Sequence, residues 1–232
     1  MDLQLHDKTA FISGSTAGIG YAIAALLLKE GATVIINGRA QESVDKAITQ
    51  LRANSDKTKL SGIAADFAKR DEVESLINQL PDIDILVNNV GIFEPKPFEE
   101  IPDEDWFRFF DVNVMSGIRL SRHAFPKMLA KNWGRIIFIS SESAIFIPDE
   151  MIHYGMTKTA QLAISRGLAE LTKGTNVTVN AVLPGPTKSR GSSEFINDLA
   201  RQQNSSFEAM EKQFFQNMRT LHFCSVLLPP KK

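Results

Sequence analysis

The sequence predicts an α/β protein with a doubly wound parallel sheet and helices on both faces. Two observations predict this class. Six short apolar runs alternate with stretches whose apolar residues recur at helical spacing, and a glycine-rich turn directly follows the first run. Strands that alternate with helices form a parallel sheet through right-handed crossovers. We therefore expect a single domain over residues 1–232, in which a further, last strand is uncertain.

These patterns also place the elements in order. Strands are predicted over 8–14, 32–37, 59–66, 84–91, 135–139 and 176–183. Helices are predicted over 21–30, 41–54, 71–80, a long region that ends near residue 131, and the region that includes residues 154 and 158. Residues 190–218 are predicted to form a helical flap over the substrate, and residues 219–232 an atypical carboxyl end.

The composition excludes several classes of function. The 26 basic and 27 acidic residues are interleaved, so no basic face for nucleic acid is expected. The single cysteine, Cys224, excludes an internal disulfide and a cysteine-based zinc cluster, and the four histidines lack the spacing of metal ligands. The amino terminus lacks a signal-peptide pattern, and no apolar run approaches about 18 residues. We expect a cytoplasmic protein with no membrane partner.

The turn after the first strand has the pattern of a dinucleotide-binding site. Its glycines allow a tight turn and let a pyrophosphate approach backbone N–H groups at the positive end of the following helix. A flexible loop is the alternative interpretation. The residues predicted to contact the cofactor here are Gly14, Ser15, Thr16, Gly18, Ile19 and Gly20.

The end of the second strand favours NADP over NAD. NAD sites commonly place a carboxylate here for the ribose 2′-hydroxyl, whereas this chain has Asn37, Gly38 and Arg39. A guanidinium can pair with a 2′-phosphate, and no carboxylate is present to repel that phosphate. The alternative is that Arg39 is an ordinary solvated arginine.

Polar residues also end the third and fourth strands. Asp66 is a candidate to bind an adenine amino group, although capping the next helix is the commoner role of aspartate. Asn88 and Asn89 can tie neighbouring strand ends together and hold a glycine turn near the adenosine ribose, or they can simply form a turn. We predict cofactor contacts for Asp66, Asn89 and Gly91.

Tyr154 and Lys158 are the strongest candidates for acid/base chemistry. They are four residues apart in a helical pattern, so they lie on one helix face. An ammonium beside a phenol favours the phenolate, so Lys158 is expected to lower the pKa of Tyr154. Ser141 ends the fifth strand, at the edge where open α/β sheets bind ligands. The alternative for the Tyr/Lys pair alone is an inert, exposed pair.

Taken in order, these motifs resemble those of the short-chain dehydrogenase/reductase family over roughly residues 5–190. The segment from Ser13 to Gly20 resembles Thr-Gly-x-x-x-Gly-x-Gly, the segment from Asn88 to Gly91 resembles Asn-Asn-Ala-Gly, and Pro184 with Gly185 matches the nicotinamide-side motif. The residues that match the catalytic tetrad are Asn113, Ser141, Tyr154 and Lys158.

The resemblance implies a Rossmann fold and a mechanism. Tyr154 would exchange a proton with a substrate oxygen while the cofactor exchanges hydride with carbon. Lys158 would bind the nicotinamide ribose, Ser141 would hydrogen-bond the substrate oxygen, and Asn113 would hold a water that links Lys158 to solvent. The predicted contacts to the nicotinamide side of the cofactor are Pro184, Gly185, Thr187 and Ser189.

The same resemblance implies a small carbonyl or alcohol substrate, as in 3-oxoacyl-carrier-protein reductases, and a homo-oligomer. The chain departs from the family after Arg219, where nothing resembles the usual seventh strand. A nucleotide-binding sensor or partner subunit without turnover is therefore the alternative function, although the complete tetrad favours an enzyme.

Overall fold

The computed structural model describes residues 3–53, 59–185, 187, 196–197, 200–201 and 205–218, with the backbone alone over 214–218. It divides into two compact units, Met1–Gly185 and Pro186–Lys232. The first unit contains the sheet and all but two of the predicted site residues. The predictions of a single domain and of a flap over residues 190–218 stay predictions, because much of the second unit lies outside the described residues.

The first unit alternates strands and helices as predicted. Its strands are β1 Thr9–Ile12, β2 Thr33–Gly38, β3 Leu60–Ala64, β4 Ile85–Asn88, β5 Gly134–Ile139 and β6 Val177–Val182. Its helices are α1 Gly18–Lys29, α2 Gln41–Arg52, α3 Arg70–Gln79, α4 Asp103–Phe110, α5 Ser116–Ala130 and α6 Ile152–Glu170. A π-helical turn, Asp111–Met115, joins α4 to α5. Short 3₁₀ turns within the described part of the chain are Phe98–Glu100, Glu142–Ala144 and Asp149–Met151.

The six strands form one sheet in the order β3-β2-β1-β4-β5-β6, and every pair is parallel. Phe11 of β1, for example, lies beside Ile35 of β2 and Leu86 of β4. The strand order reverses between β1 and β4, which opens a crevice at the carboxyl ends of the strands. The predicted doubly wound Rossmann fold is confirmed, and its crevice is the place where such sheets bind ligands.

Apolar clusters cover the two faces of the sheet. Phe11 and Leu86 pack with Leu76 and Leu120 on one face, whereas Ile12 belongs to the cluster on the other face. Neighbouring residues of β1 therefore point to opposite sides, as the pleat requires. The central strands β1, β2 and β4 are buried on both faces and read as mostly apolar runs in the sequence, whereas the edge strand β6 alternates buried and exposed residues.

The long helical pattern that ends near residue 131 is divided in the structure. The π turn at Asp111–Met115 separates α4 from α5, and the side chain of Asn113 bonds both the N–H and the C=O of Ile92 there. Gly117 on α5 is closely packed, since a Cβ there would lie 2.8 Å from Cε1 of Phe138. Hydrophobic periodicity alone does not distinguish a π turn from an α turn, because both keep the chain helical.

The second unit contains one helix longer than a turn among its described residues, α7 Phe207–Met218. Ile196, Ala200 and Met210 form a small buried cluster in this unit, against which Phe207 packs. Helical residues in this part of the chain agree with the helical pattern of the sequence. Among all the described residues, no helix has both the length and the apolarity that a membrane span requires.

Candidate active site

The glycine-rich turn is closely packed between β1 and α1. Gly14 and Gly18 have φ values of 61° and 60°, which are strained for residues with a side chain. A Cβ on Gly20 would lie 2.5 Å from Nδ2 of Asn89 and 2.6 Å from the carbonyl oxygen of Gly14. The turn therefore presents backbone at the amino-terminal end of α1, which is the geometry that a phosphate site requires.

Asn37 holds this turn from the side of β2. It is 1% exposed, and its Oδ1 accepts the N–H of Gly14 at 3.1 Å. Its Nδ2 donates to the carbonyl oxygens of Ile63 and Ala65 at 3.0 and 3.3 Å. The hydroxyl of Ser15 donates to the carbonyl of Ile12 and accepts the N–H of Asn37. Asn37 thus ties three strand ends together, a role that the sequence analysis did not assign to it.

Asn89 holds the turn from the side of β4. Its Nδ2 donates to the carbonyl oxygens of Ser13 and Gly14 at 3.0 and 2.8 Å. In return, the Ser13 hydroxyl accepts the backbone N–H groups of Asn89 and Val90. The expected tie between neighbouring strand ends is therefore present. A direct contact of Asn89 with the cofactor stays a prediction.

The remaining candidates on this side differ in exposure. Arg39 follows β2 and is exposed, and Thr16 and Ile19 are half-buried near the turn. Asp66 is also half-buried, and its Oδ1 accepts the N–H of Ala68 at 3.0 Å. Asp66 therefore stabilises the turn before α3 rather than capping that helix, whose N-cap is Lys69, and the adenine contact stays a prediction.

Ser141 and Tyr154 meet at the carboxyl end of β5. Ser141 is 9% exposed and starts the turn Glu142–Ala144, where its Oγ accepts the N–H of Ser143 at 3.1 Å. The phenol of Tyr154, on α6, lies close enough to the Ser141 side chain for that hydroxyl to favour the phenolate. The hydroxyl of Ser140 donates to the carbonyl of Lys158 at 2.9 Å, which fixes α6 against β5. The two hydroxyls predicted to act on one substrate oxygen are therefore adjacent.

Lys158 lies one turn beyond Tyr154 on α6 and is buried. Its Nζ lies 5.6 Å from the centroid of the Tyr154 ring and donates to the carbonyl oxygen of Ile139 at 3.0 Å. A Cβ on Gly91 would lie 3.4 Å from the same Nζ. The predicted cofactor residue Gly91 therefore lies beside the predicted catalytic amine.

Burial dominates the protonation of this pair. It lowers the pKa of Lys158 from 10.5 to about 8, because the charged ammonium loses its hydration. It also raises the pKa of Tyr154, while the Ser141 side chain opposes that rise and the carboxylate of Glu142 adds to it. The expected lowering of the Tyr154 pKa by Lys158 is not found in this structure. A raised pKa keeps the phenol protonated at neutral pH, as a proton donor must be.

Asn113 occupies the π turn and is fully buried. Its Oδ1 accepts the N–H of Ile92 at 2.7 Å, and its Nδ2 donates to the carbonyl of Ile92 and to Oγ1 of Thr157. The hydroxyl of Thr157 in turn donates to the carbonyl of Tyr154. The side chain of Asn113 therefore joins the loop after β4 to α6, rather than pointing at solvent.

The Pro184–Gly185 segment lies beside the turn that follows Ser141. The N–H of Glu142 donates to the carbonyl of Pro184 at 3.1 Å, and a Cβ on Gly185 would lie 3.1 Å from Oε2 of Glu142. Glu142, which the sequence analysis missed, therefore places a carboxylate next to this motif and close enough to Tyr154 to raise its pKa. Thr187 belongs to the second unit, and Ser189 lies outside the described residues, so both contacts stay predictions.

The fold and this site define a dehydrogenase or reductase that uses a nicotinamide dinucleotide. A closely packed glycine turn lies at the head of α1, and the hydroxyls of Ser141 and Tyr154 lie beside a buried amine at the carboxyl edge of the same sheet. The glycine turn fits a dinucleotide, because its close packing against Asn89, which a Cβ on Gly14 or Gly20 would prevent, holds backbone groups at the head of α1, where a pyrophosphate binds.

Comparison with known proteins identifies the family. Residues 8–200 match the family model for short chain dehydrogenases. Over 232 residues, the chain is 47% identical to the uncharacterized oxidoreductase YvaG of Bacillus subtilis, which covers 100% of this chain and 88% of that protein. Over 189 residues it is 34% identical to the 3-oxoacyl-[acyl-carrier-protein] reductase FabG of Aquifex aeolicus, which covers 80% of this chain and 76% of that protein.

Solved structures agree with this assignment. The L-sorbose reductase of Gluconobacter frateurii, complexed with NADPH and L-sorbose, superposes with a TM-score of 0.83 at 29% identity, over 90% of this chain and 81% of that one. The chain belongs to the short-chain dehydrogenase/reductase family. The predicted family, fold and enzyme class are confirmed, whereas the roles of individual residues stay predictions.

Proposed function

We propose that this protein is an NADP-dependent oxidoreductase that interconverts a carbonyl and a secondary alcohol, with Tyr154 as the general acid and base. One observation carries the proposal: at the carboxyl edge of β5 the phenol of Tyr154 lies near the Ser141 side chain, and the buried Nζ of Lys158 lies 5.6 Å from the centroid of the Tyr154 ring. A small-molecule substrate that reaches this edge would meet two hydroxyl groups at once.

The residues of the chain divide the work in this proposal. Bound NADPH supplies the hydride for the carbonyl carbon. Tyr154 donates its proton to the carbonyl oxygen, and Ser141 holds that oxygen by a hydrogen bond. Lys158 stabilises the resulting phenolate through its nearby ammonium, and it would hold the ribose of the cofactor. In the reverse direction, the phenolate accepts the proton of the alcohol.

The preference for NADP is supported by the end of β2. Arg39 is exposed and makes no ion pair with another described residue. Asn37, which stands where a carboxylate would bind the ribose of NAD, is buried and committed to the backbone. A guanidinium can therefore meet a 2′-phosphate without competition from a neighbouring acid.

A steady-state assay tests the reaction and the cofactor together. The purified protein is supplied with NADPH or NADH and a panel of small ketones, 3-oxoacyl thioesters and ketoses, and absorbance at 340 nm reports turnover. We expect turnover of at least one class, with NADPH preferred. Binding of NADPH without turnover of any class would support a sensor instead, and a preference for NADH would contradict the role of Arg39.

Two variants isolate the contribution of Arg39. Arg39→Ala should raise the KM for NADPH by about tenfold or more, since a hydrogen bond to a charged group is lost, while the KM for NADH stays unchanged. Arg166→Ala removes an exposed arginine from α6 and serves as the control. If Arg39→Ala raised the KM for NADPH and the KM for NADH equally, Arg39 would not bind the 2′-phosphate.

We also propose that the protein is a homo-oligomer. The side chain of Phe107 on α4 is 73% exposed and that of Phe110 is 39% exposed, which is an apolar surface that a second copy could cover. Light scattering coupled to gel filtration measures the mass directly. A monomer at micromolar concentration would contradict this proposal and leave the proposed reaction untouched.

A further inference from the structure

Gln161 is a buried polar residue that the family pattern does not call for. It lies on α6, three residues beyond Lys158, and is 1% exposed. Its Nε2 donates to the backbone carbonyl of Asn113 at 2.6 Å, and its Oε1 accepts from Nζ of Lys158 at 3.4 Å. One amide therefore touches two of the predicted catalytic residues, with its donor on one and its acceptor on the other.

The position of the Asn113 carbonyl explains why a side chain can reach it. Asn113 lies in the π turn Asp111–Met115, where the hydrogen-bond pattern of the helix is widened. The resemblance to the family implied that Asn113 would hold a water that links Lys158 to solvent. In this structure the Gln161 side chain reaches the Asn113 carbonyl and the Lys158 ammonium directly.

Lys158 depends on this amide because its other partners are few. Its described hydrogen-bond acceptors are Oε1 of Gln161 and the carbonyl oxygen of Ile139, and both are neutral. Burial alone accounts for its lowered pKa, with no contribution from a neighbouring charge. Loss of one neutral acceptor is therefore a large change for this ammonium.

We infer that Gln161 is a positioning residue of this active site, whose side-chain amide holds the Lys158 ammonium against the π turn by bridging it to the Asn113 carbonyl. The inference rests on the proposed function only for its effect on turnover. The bridge itself determines where the amine lies and how readily it carries a proton.

Three variants test the bridge. Gln161→Met keeps nearly the same length and removes both hydrogen bonds, so the site stays filled. Gln161→Glu keeps an acceptor for Lys158 and gives it a negative charge. Gln79→Met, in the exposed last turn of α3, is the matched control for replacing glutamine by methionine.

The steady-state result should show loss of chemistry rather than of binding. Gln161→Met should lower kcat by about tenfold or more, as expected for one lost hydrogen bond to a charged group, with little change in the KM for the carbonyl substrate. Gln79→Met should match the wild-type protein. A loss of activity that only follows the loss of folded protein, measured by circular dichroism, would assign Gln161 a purely structural role and overturn the inference.

The pH profiles should move in opposite directions. Without the neutral acceptor, Lys158 gives up its proton more readily, so the alkaline limb of kcat/KM should move to lower pH in Gln161→Met. In Gln161→Glu the added carboxylate should move it to higher pH. Other ionisable groups on the elements packed against Lys158 are the same in all variants: His153, Tyr154, Glu142, Arg135, and Asp111 paired with Arg119.

A measurement without substrate separates this inference from the proposed function. Between the folded pKa of about 8 and the ordinary value of 10.5, the unfolded state binds more protons at Lys158 than the folded state does. The contribution of Lys158 to the protein's free energy of unfolding therefore increases with pH across that window. The rise should begin at lower pH in Gln161→Met and at higher pH in Gln161→Glu.

Urea titrations from pH 7 to pH 11 would measure this rise. If the wild-type protein turns over no ketone but the variants move the rise as expected, the proposed function fails and the bridge stands. If Gln161→Met keeps the wild-type pH dependence of both unfolding and turnover, the bridge is wrong whatever the reaction.

Discussion

The two sides of the crevice use buried polar side chains in different ways. On the cofactor side, the side-chain amides of Asn37 and Asn89 hydrogen-bond the backbone of the glycine turn and of neighbouring strand ends. On the catalytic side, the side-chain amides of Asn113 and Gln161 also hydrogen-bond the backbone, but Gln161 additionally accepts a hydrogen bond from the ammonium of Lys158. Lys158 is charged at neutral pH in a place where burial opposes its charge.

The neutral amides maintain the shape of the site, whereas the buried ammonium provides a reactive group. Neutral amides that satisfy buried backbone groups stabilise the fold, because their removal would leave those groups unpaired. A desolvated ammonium destabilises the fold, and it persists where it serves another purpose. Substitution of Asn37 or Asn89 should therefore cost stability, whereas replacement of Lys158 by a neutral residue should cost activity and spare or improve stability.

The largest effect is expected for Tyr154→Phe, which keeps the ring and removes only the proton donor. We expect kcat to fall by about 10²–10⁴-fold, the usual contribution of a general acid, with NADPH affinity nearly unchanged. Tyr21→Phe on α1, at the only other tyrosine of the chain, is the control. Full activity of Tyr154→Phe, measured by NADPH oxidation, would remove Tyr154 from the mechanism.

Lys158→Met is the most direct test of the difference between the two sides of the crevice. Its activity should be nearly lost, yet its free energy of unfolding at pH 7 should rise by about 1–3 kcal/mol. The depressed pKa represents roughly 3 kcal/mol of unfavourable charge burial, part of which lost hydrogen bonds offset. The gain should shrink from pH 8 to 10.5, where the wild-type amine loses its proton. Urea titration at several pH values measures it, and a loss of stability at pH 7 would contradict this account.

Asn37→Ala should have the opposite signature. It leaves the N–H of Gly14 and the carbonyls of Ile63 and Ala65 without their present partner, so we expect a loss of about 2–4 kcal/mol in the free energy of unfolding. NADPH should bind more weakly, while kcat at saturating NADPH stays close to the wild-type value. Asn78→Ala on the exposed face of α3 should change stability by less than about 0.5 kcal/mol. Equal stability of the two variants would show that Asn37 does not shape the turn.

Glu142→Gln should have the smallest effect and sharpen the comparison. The carboxylate of Glu142 raises the pKa of Tyr154, so its neutral analogue should lower that pKa. The phenol of Tyr154 should then lose its proton at lower pH than in the wild-type protein. Ultraviolet absorbance of tyrosinate as a function of pH, measured in the Tyr21→Phe background, follows this loss, and a shift to higher pH would show that Glu142 does not act through its charge.

The fold was predictable because its central strands are buried on both faces. Runs such as 136–139 then read as continuously apolar, and glycine marks the turn before α1. The order of the strands in the sheet could not be read from the sequence in the same way, because it depends on pairing between segments that are distant in the chain. The π turn could not be foreseen, because its hydrogen-bond pattern is set by the contact of Asn113 with Ile92 rather than by apolar spacing.

The site was predictable where residue type and chemistry coincide. Tyr154, Lys158 and Ser141 carry reactive groups and stand at positions that the sheet brings together. Asn37 and Gln161 were missed because their partners are distant in sequence: Gln161 bonds a carbonyl 48 residues away. The pKa of Tyr154 was predicted to fall because its charged neighbour was considered and its burial was not.

Because of the π turn, the geometry of the site depends on how many residues lie between α4 and α5, and not only on which residues they are. Hydrogen bonds from i to i+5 enclose one more residue than those of an α-helix. Removal of a single residue between Asp111 and Met115 would take away this extra residue and let α4 and α5 fuse into a regular helix. The contacts of Asn113 with Ile92 and with Gln161 would then be lost, so one deleted codon here is expected to do more damage than most amino-acid exchanges.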